Sequence, residues 1–119
     1  MIGLGVFVAG AGGAVSRYLL ESAITCRAGH HFPYGTLTVN LLGSLALGLV
    51  TGAAERDVIG TDARTIVAIG FLGAFTTFSA FAIEADRLPA ARRVAYVAAS
   101  VVGGLALAAA GLALALALL

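Results

Sequence analysis

A nine-residue stretch in the middle of a long apolar segment carries the side chains with the most evident chemistry. This stretch, residues 73–81, contains three hydroxyl side chains: Thr76, Thr77 and Ser79. The uncharged segment around it, residues 65–83, has 19 residues, about the length that a membrane-spanning helix needs. The hydroxyls favour either a broken helix whose freed carbonyls bind an ion or an unbroken helix whose threonines bond back one turn.

Aromatic side chains accompany these hydroxyls at helical spacing. Phe75, Phe78 and Phe81 recur every three residues and therefore lie along one stripe. Such stripes commonly face lipid or a neighbouring helix, but this one also flanks the hydroxyls. Glu84 continues the stripe three residues later, where it could lie at a pore mouth or cap the span.

Two further lines of polar side chains run through apolar segments. Thr36, Asn40 and Ser44 recur at intervals of four and share one helix face. An amide in hydrocarbon must hydrogen-bond to a neighbouring helix or to a permeating species, so Asn40 is either an interhelical contact or a binding residue. Tyr96 and Ser100 form a similar pair in the last segment.

The composition identifies the elements that must position these residues. Of the 119 residues, 61% are hydrophobic and 11% are charged, and the mean hydropathy is +1.04. Four uncharged stretches can each reach across a bilayer. We therefore predict an all-α integral membrane protein, a multi-pass protein of the cell membrane, in which residues 1–119 form a single domain with transmembrane helices at about 2–24, 33–54, 64–84 and 92–118.

Several classes of function are excluded by the same residues. A net charge of +1 is too small to indicate nucleic-acid binding. The single cysteine, Cys26, rules out an internal disulfide, and the adjacent His30 and His31 point in different directions and make a poor metal pair. No acid–base pair lies within the spans, so the sequence does not predict an enzyme.

The arginines bear on topology and assembly. Five of them flank the first and third connections and two flank the second, a modest bias for one orientation. Arg17 lies about a turn inside the first span, where it must snorkel or pair with an acid or with carbonyls. Without Arg17 the bias is weak enough for both orientations to be populated. Abundant small residues allow close helix contact, so we expect an oligomer.

The motifs occur in the order of a known family. The first span contains GGAVSRY (12–18), the second contains GTLTVN (35–40) followed by GS (43–44), and the third contains GFLG (70–73) and TTFSAF (76–81). Together they resemble the Fluc family of fluoride channels, also called CrcB. Each motif is weak alone, whereas the ordered set over three helices is specific.

The resemblance implies an architecture. It is an antiparallel, dual-topology dimer of four-helix subunits with a broken third helix and two pores. The resemblance also implies a structural Na⁺ on the dimer axis, held by the backbone carbonyls of Gly73 and Thr76 from both subunits. The weak arginine bias is compatible with dual topology.

The resemblance further implies a path for fluoride. Phe78 and Phe81 match the pore phenylalanines, whose positively polarised ring edges would face the anion. Asn40 would donate an amide N–H to it. Arg17 matches an arginine near the vestibule, which would raise the local anion concentration or hold structure. Glu84 is likewise expected to be a vestibule or structural residue. Hydroxyls would replace water as the ion dehydrates; those expected on the track are Thr36, Thr77, Ser79, Tyr96 and Ser100.

Two departures from the family pattern remove hydroxyls from this track. Ala80 stands where a threonine is usual, and Gly104 stands where a further serine is common. We expect a homodimer in the lipid bilayer, and the departures keep open a heterodimer with a homologous subunit. The implied physiological role is passive export of fluoride that has entered as neutral hydrogen fluoride.

Two other interpretations of the sequence remain. A small dual-topology drug–proton exporter would need a membrane-embedded carboxylate in the first helix, which has no acid before Glu21, and aromatic neighbours including tryptophan, which is absent. A non-conducting assembly subunit would share the packing but would have no reason to combine Asn40, Phe78 and Phe81.

Overall fold

The computed structural model describes residues 1–119, and every regular element is a helix. In chain order these are α1 (Ile2–Ala28), α2 (Tyr34–Glu55), α3 (Thr61–Thr65), a π-helical segment (Ile66–Leu72), α4 (Gly73–Phe75), α5 (Phe78–Arg87) and α6 (Ala90–Leu118). Four stretches are long and apolar enough to cross a membrane: α1, α2, residues 61–87 and α6. The prediction of an all-helical, multi-pass membrane protein with four spans is confirmed.

The third span, residues 61–87, is not a uniform helix. Thr76 (φ −81°, ψ 159°) and Thr77 (φ −148°, ψ 124°) have extended backbone. Helical structure therefore ends at Phe75 and begins again at Phe78. Because a helix end leaves backbone groups without helical partners, this interruption needs hydrogen bonds from elsewhere in the chain.

Helices α2 and α6 pack against each other along much of their length, and glycines bring their backbones into contact. A Cβ on Gly48 would overlap the carbonyl oxygen of Ala108, and one on Gly111 would overlap that of Leu45. Small residues at such positions are a common means of helix association in membranes, where lipid removes the hydrophobic driving force. The alanine- and glycine-rich α6 is thus held firmly against α2.

Helix α1 packs on the third span in a similar way. A Cβ on Gly13 would overlap the carbonyl oxygen of Phe71, and one on Gly70 would lie 2.8 Å from the carbonyl oxygen of Val6. The contacts fix the π-helical segment, which contains Gly70 and Phe71, against the first helix. The first half of the third span is therefore held by α1.

The turn between α5 and α6 is held by a single arginine. Arg93 Nε donates to the carbonyl oxygen of Ala85 at 3.0 Å, and its Nη2 donates to those of Asp86 at 3.0 Å and Leu88 at 3.1 Å. Carbonyls at the end of a helix lack intrahelical donors, so these bonds satisfy the end of α5.

The buried core lies beside this turn. Tyr96 is fully buried and packs with Ala85 and Leu88, while Phe32 of the α1–α2 connection and Phe81 of α5 cover the cluster. Only 15 of the 119 residues are buried in a single chain. Most of its apolar surface must therefore be covered by lipid or by another subunit.

Candidate functional site

The interruption in the third span is stabilised by the amide of Asn40 on α2. Asn40 Nδ2 donates to the carbonyl oxygen of Thr77 at 3.0 Å, and the Thr77 N–H donates to Asn40 Oδ1 at 2.9 Å. Both polar atoms of the side chain thus bond to one extended residue. An asparagine amide has two N–H groups, so one N–H of Asn40 is not needed for this pairing. Asn40 thus connects α2 to the third span and still has one N–H that this pairing does not use.

The two threonines cap the helices on either side of the interruption. Thr76 Oγ1 donates to the carbonyl oxygen of Leu72 at 3.0 Å, at the end of the preceding helix. Thr77 Oγ1 accepts from the Ala80 N–H at 3.2 Å, which makes Thr77 the N-cap of α5. A hydroxyl N-cap of this kind typically contributes about 1 kcal/mol to helix stability.

These bonds change the partners of two carbonyls. In a continuous α-helix the N–H of Thr77 would bond the carbonyl of Gly73. Likewise, the N–H of Ala80 would bond the carbonyl of Thr76. Because the Thr77 N–H bonds to Asn40 and the Ala80 N–H bonds to the Thr77 hydroxyl, both carbonyls lose those donors. Gly73 is, in addition, exposed on the surface of the chain.

Helix α2 approaches the interruption closely at Gly43. A Cβ there would overlap the methyl carbon of Thr76. Gly43 is three residues after Asn40, so both lie on the side of α2 that faces the third span. The glycine admits the Thr76 side chain, and the asparagine one turn earlier bonds to Thr77.

A groove of about 440 Å³ lies along these residues. Seven of the residues predicted to form the site line it together: Asn40, Gly73, Thr76, Thr77, Phe78, Phe81 and Ser100. The remaining lining residues are Gly43, Ser44, Leu47, Ala68, Leu72 and Val101. None of the 13 has an ionisable side chain, so the groove offers only neutral donors, acceptors and apolar surface.

The predicted phenylalanines occupy one end of the groove. The ring centroids of Phe78 and Phe81 are 5.8 Å apart with planes at 45°, and Phe81 lies 5.2 Å from the ring of Tyr96. Phe81 is half-buried in this aromatic cluster, whereas the Phe78 side chain is 78% exposed. Phe78 therefore forms an open rim, and Phe81 connects the rim to the core.

The predicted hydroxyls divide into three groups. Ser100 Oγ lines the groove and Tyr96 Oη lies in the core; both atoms are buried and neither has a hydrogen-bond partner within the chain. Ser79 is exposed and does not line the groove. Thr36 is buried, and its hydroxyl donates to Glu84 Oε1 at 2.7 Å. Buried hydroxyls without partners are uncommon in native structures, so Tyr96 and Ser100 are candidates for contact with a bound species.

Thr36 and Glu84 belong to a second, polar cavity of about 880 Å³, which we call the end cavity. It lies between the α1–α2 and α5–α6 connections, and its ionisable lining residues are Tyr18, Glu21, Cys26, His30, His31, Glu84, Arg87 and Arg92. Arg17 lines neither the groove nor the end cavity, although it is one turn before Glu21 on α1. The structure therefore separates a neutral groove from a charged cavity.

Ser44 and Glu21 are two polar lining residues that were not among the predicted site residues. Ser44 lines the groove, and the signal was present, since Ser44 follows Asn40 by one turn on the same face. Glu21 lines the end cavity with a buried, unpartnered Oε1. Its position gave no comparable signal, because it looked like the start of a polar connection.

Residues 4–112 match a family model described as "CrcB-like protein, Camphor Resistance (CrcB)". The match covers more than half of the chain. It includes every residue of the groove.

Curated relatives carry the name "Fluoride-specific ion channel FluC". The protein from Sphingopyxis alaskensis is 44% identical over 112 residues, which cover 90% of this chain and 89% of the relative. The protein from Vibrio campbellii is 48% identical over 80 residues, covering 66% and 63% respectively. The protein from Geobacter sulfurreducens is 45% identical over 86 residues, covering 71% and 69%.

Proposed function

Because the chain belongs to the CrcB family, whose relatives are named as ion channels rather than enzymes, we propose that it is a fluoride-selective channel of the cell membrane. Its role would be passive export of cytoplasmic fluoride. The observation that carries the proposal is the pairing of Asn40 with the extended Thr77, because it opens a groove of neutral donors within a membrane span.

The groove supplies donors that can replace the water shell of a small anion. Asn40 has an N–H that its bonds to Thr77 do not use, and Ser100 has a buried hydroxyl without a partner. Thr77 also lines the groove, and the hydroxyls of Tyr96 and Thr36, which lie outside it, would extend the set along the path. Hydrogen bonds to an anion are stronger than those between neutral groups, so a few such donors offset much of the dehydration cost.

The phenylalanines would contact fluoride through their ring edges. The edge of an aromatic ring is the positive part of its quadrupole, so it attracts an anion without a full charge. The groove contains no arginine or lysine that would bind the anion too tightly to release it. Phe78 and Phe81 would thus favour passage over trapping.

A second copy of the chain would close the groove. Phe78, Leu47 and Val101 on its rim are 78%, 44% and 51% exposed, so in a single chain the groove is open along one side. Donors facing hydrocarbon would not form an ion path. We propose an antiparallel, dual-topology homodimer with two pores, for which a heterodimer with a homologous subunit is the alternative.

The carbonyls of Gly73 and Thr76 are suited to a Na⁺ ion between the two subunits. Both have lost the N–H donors of a continuous helix, and Gly73 lies on the exposed surface. Two carbonyls from each chain would provide the hard oxygen ligands that a small cation prefers. When bound, the ion would neutralise the carbonyl dipoles and join the interrupted spans, and it would not be transported.

The charged residues would act at the entrances. Arg17 forms no hydrogen bond within the chain, unlike Arg56, Arg92 and Arg93, so its charge is available to raise the local anion concentration or to anchor the subunit at the interface. Glu84 is held by Thr36, which limits its reach toward the groove. Ser79, which is exposed, would contribute only from the side facing a second subunit.

Liposomes containing the purified chain alone test the proposal. We expect a fluoride gradient to collapse with a counter-ion shunt present, as measured with a fluoride electrode, and a chloride gradient to persist. Proton flux stimulated by a cationic drug, without fluoride efflux, would instead identify an exporter. An intact fluoride gradient with this chain alone and also with each homologue from its host would overturn the proposal.

A further inference from the structure

The line of hydroxyls on α6 ends at Ser100. Tyr96, Ser100 and Gly104 are spaced by four residues and share one face of the helix, and the third of them has no side chain. Tyr96 and Ser100 both have buried, unpartnered hydroxyl oxygens. If α6 alone provided the polar wall, that wall would end at Ser100, one turn before Gly104.

A hydroxyl from the facing helix occupies this position. A Cβ built on Gly104 would lie 3.3 Å from Ser44 Oγ on α2. That distance is tight for a carbon next to an oxygen, so Ser44 fills the space that a side chain at 104 would need. Ser44 also lines the groove, where the neighbouring Leu47 and Val101 are apolar. At this level, Ser44 is the polar group of the wall.

Ser44 has a donor that can be redirected. Its Oγ donates to the carbonyl oxygen of Asn40 at 2.9 Å, a bond between neutral groups within α2. A hydroxyl has one proton on a freely rotating bond and two acceptor lone pairs. If the hydroxyl rotates toward the groove, it gives up its hydrogen bond to the Asn40 carbonyl and donates to the anion instead. A hydrogen bond to an anion is stronger than one to a neutral carbonyl.

We propose that Ser44 is a further fluoride-contacting residue, and that Gly104 is the space that admits its hydroxyl. The proposal rests on the proposed function and extends it. The polar wall of the groove passes from Ser100 on α6, one turn beyond the buried Tyr96, to Ser44 on α2. The close contact between α2 and α6 at Gly48 and Gly111 keeps the two halves of this wall in register.

Fluoride efflux from liposomes tests the role of the hydroxyl. We expect Ser44→Ala to slow efflux roughly tenfold, the effect of losing one hydrogen bond to a charged group. The control is Thr38→Val, which removes a half-buried hydroxyl from the same helix but outside the groove, and it should conduct like the wild type. Ser44→Cys keeps the size and weakens the donor, so it should be slowed as well even if Ser44→Ala does not fold.

A swap separates contact with the ion from support of the helix. Ser44→Ala combined with Gly104→Ser moves the hydroxyl to the other wall and removes the side-chain hydrogen bond that the Asn40 carbonyl accepts from Ser44. We expect the double variant to regain most of the wild-type efflux rate. Gly104→Ser alone would crowd Ser44, so its efflux rate should not exceed that of the wild type. Recovery would therefore report a hydroxyl in the groove.

The outcomes distinguish this inference from the proposed function. A wild-type chain that conducts fluoride while Ser44→Ala matches Thr38→Val overturns the inference alone. So does a slow Ser44→Ala variant that Gly104→Ser fails to restore. A wild-type chain that leaves the gradient intact overturns the proposed function and this inference together.

Discussion

The groove and the end cavity are both polar, but they are polar in different ways. The groove is lined by an amide, hydroxyls and backbone carbonyls and has no ionisable side chain. The end cavity contains two carboxylates, Glu21 and Glu84, together with Arg87, Arg92 and two histidines. A full charge in hydrocarbon is costly, whereas a neutral donor can be satisfied by a single neighbour. Of the two cavities, only the one at the ends of the helices contains charged side chains.

This contrast has a consequence for anion transfer. Neutral donors bind an anion with moderate strength, which permits release, whereas a fixed positive charge would retain it and a negative charge would exclude it. A charge added to the groove should therefore change fluoride efflux far more than a charge removed from the end cavity.

The largest effect should come from placing a charge in the groove. In Asn40→Asp the carboxylate cannot donate to the Thr77 carbonyl, and it repels an approaching anion. An effective dielectric near 20 makes this repulsion about 3 kcal/mol at 5–6 Å, so we expect fluoride efflux to fall roughly a hundredfold or more. Efflux from liposomes would measure the change.

The unfolding temperature of Asn40→Asp should fall as well, because a half-buried carboxylate that cannot donate now faces the Thr77 carbonyl. Efflux at the wild-type rate would show that the neutrality of the groove is irrelevant to transfer.

An intermediate effect should follow from changing the groove rim without changing its charge. Phe78→Ile removes the positive ring edge, and we expect efflux to fall about tenfold, since aromatic edge contacts contribute roughly 1 kcal/mol or more. The matched control is Phe7→Ile on α1, because the Phe7 side chain is 74% exposed and lies outside the groove.

Both variants should keep the fold of the single chain, because both side chains are exposed on it. Equal efflux from the two variants would mean that Phe78 acts only as apolar surface.

The smallest effect should come from removing a charge from the end cavity. Glu84→Gln keeps an oxygen that can accept from the Thr36 hydroxyl, so the local structure should persist. At the dielectric constant of water the lost repulsion is worth less than ~1 kcal/mol, and we expect efflux to rise by about threefold at most. Asp86→Asn, at an exposed acid two residues further on, is the control. A large loss of efflux in Glu84→Gln alone would place Glu84 on the ion path.

Much of this architecture could be predicted because it depends on local patterns. The length and apolar character of the segments identified four spans, and the spacing of Thr36, Asn40 and Ser44 identified the polar face of α2. The ends of the helices were harder to predict. Helix α1 continues to Ala28, past the predicted end at 24, because a charged residue such as Glu21 does not stop a helix.

What could not be predicted depends on contacts between distant residues. Nothing in the spacing indicates that Asn40 bonds to both backbone groups of a residue 37 positions later, or that Gly43 admits the Thr76 methyl group. The spacing placed Ser44 on the polar face of α2, but its position in the site depends on Gly104 of the facing helix. Hydrogen-bond partners across helices are properties of the fold rather than of either segment.

The π-helical segment before the interruption has a further consequence. Each π-type hydrogen bond encloses one residue more than an α-type bond, so residues 66–72 hold surplus chain. Removing one amino acid there could be absorbed by a change to α-type bonding, with the span's two ends left in place. The same deletion in α2 or α6 would rotate everything beyond it by about 100°. Among the membrane-spanning segments, residues 66–72 should therefore tolerate a one-residue deletion best.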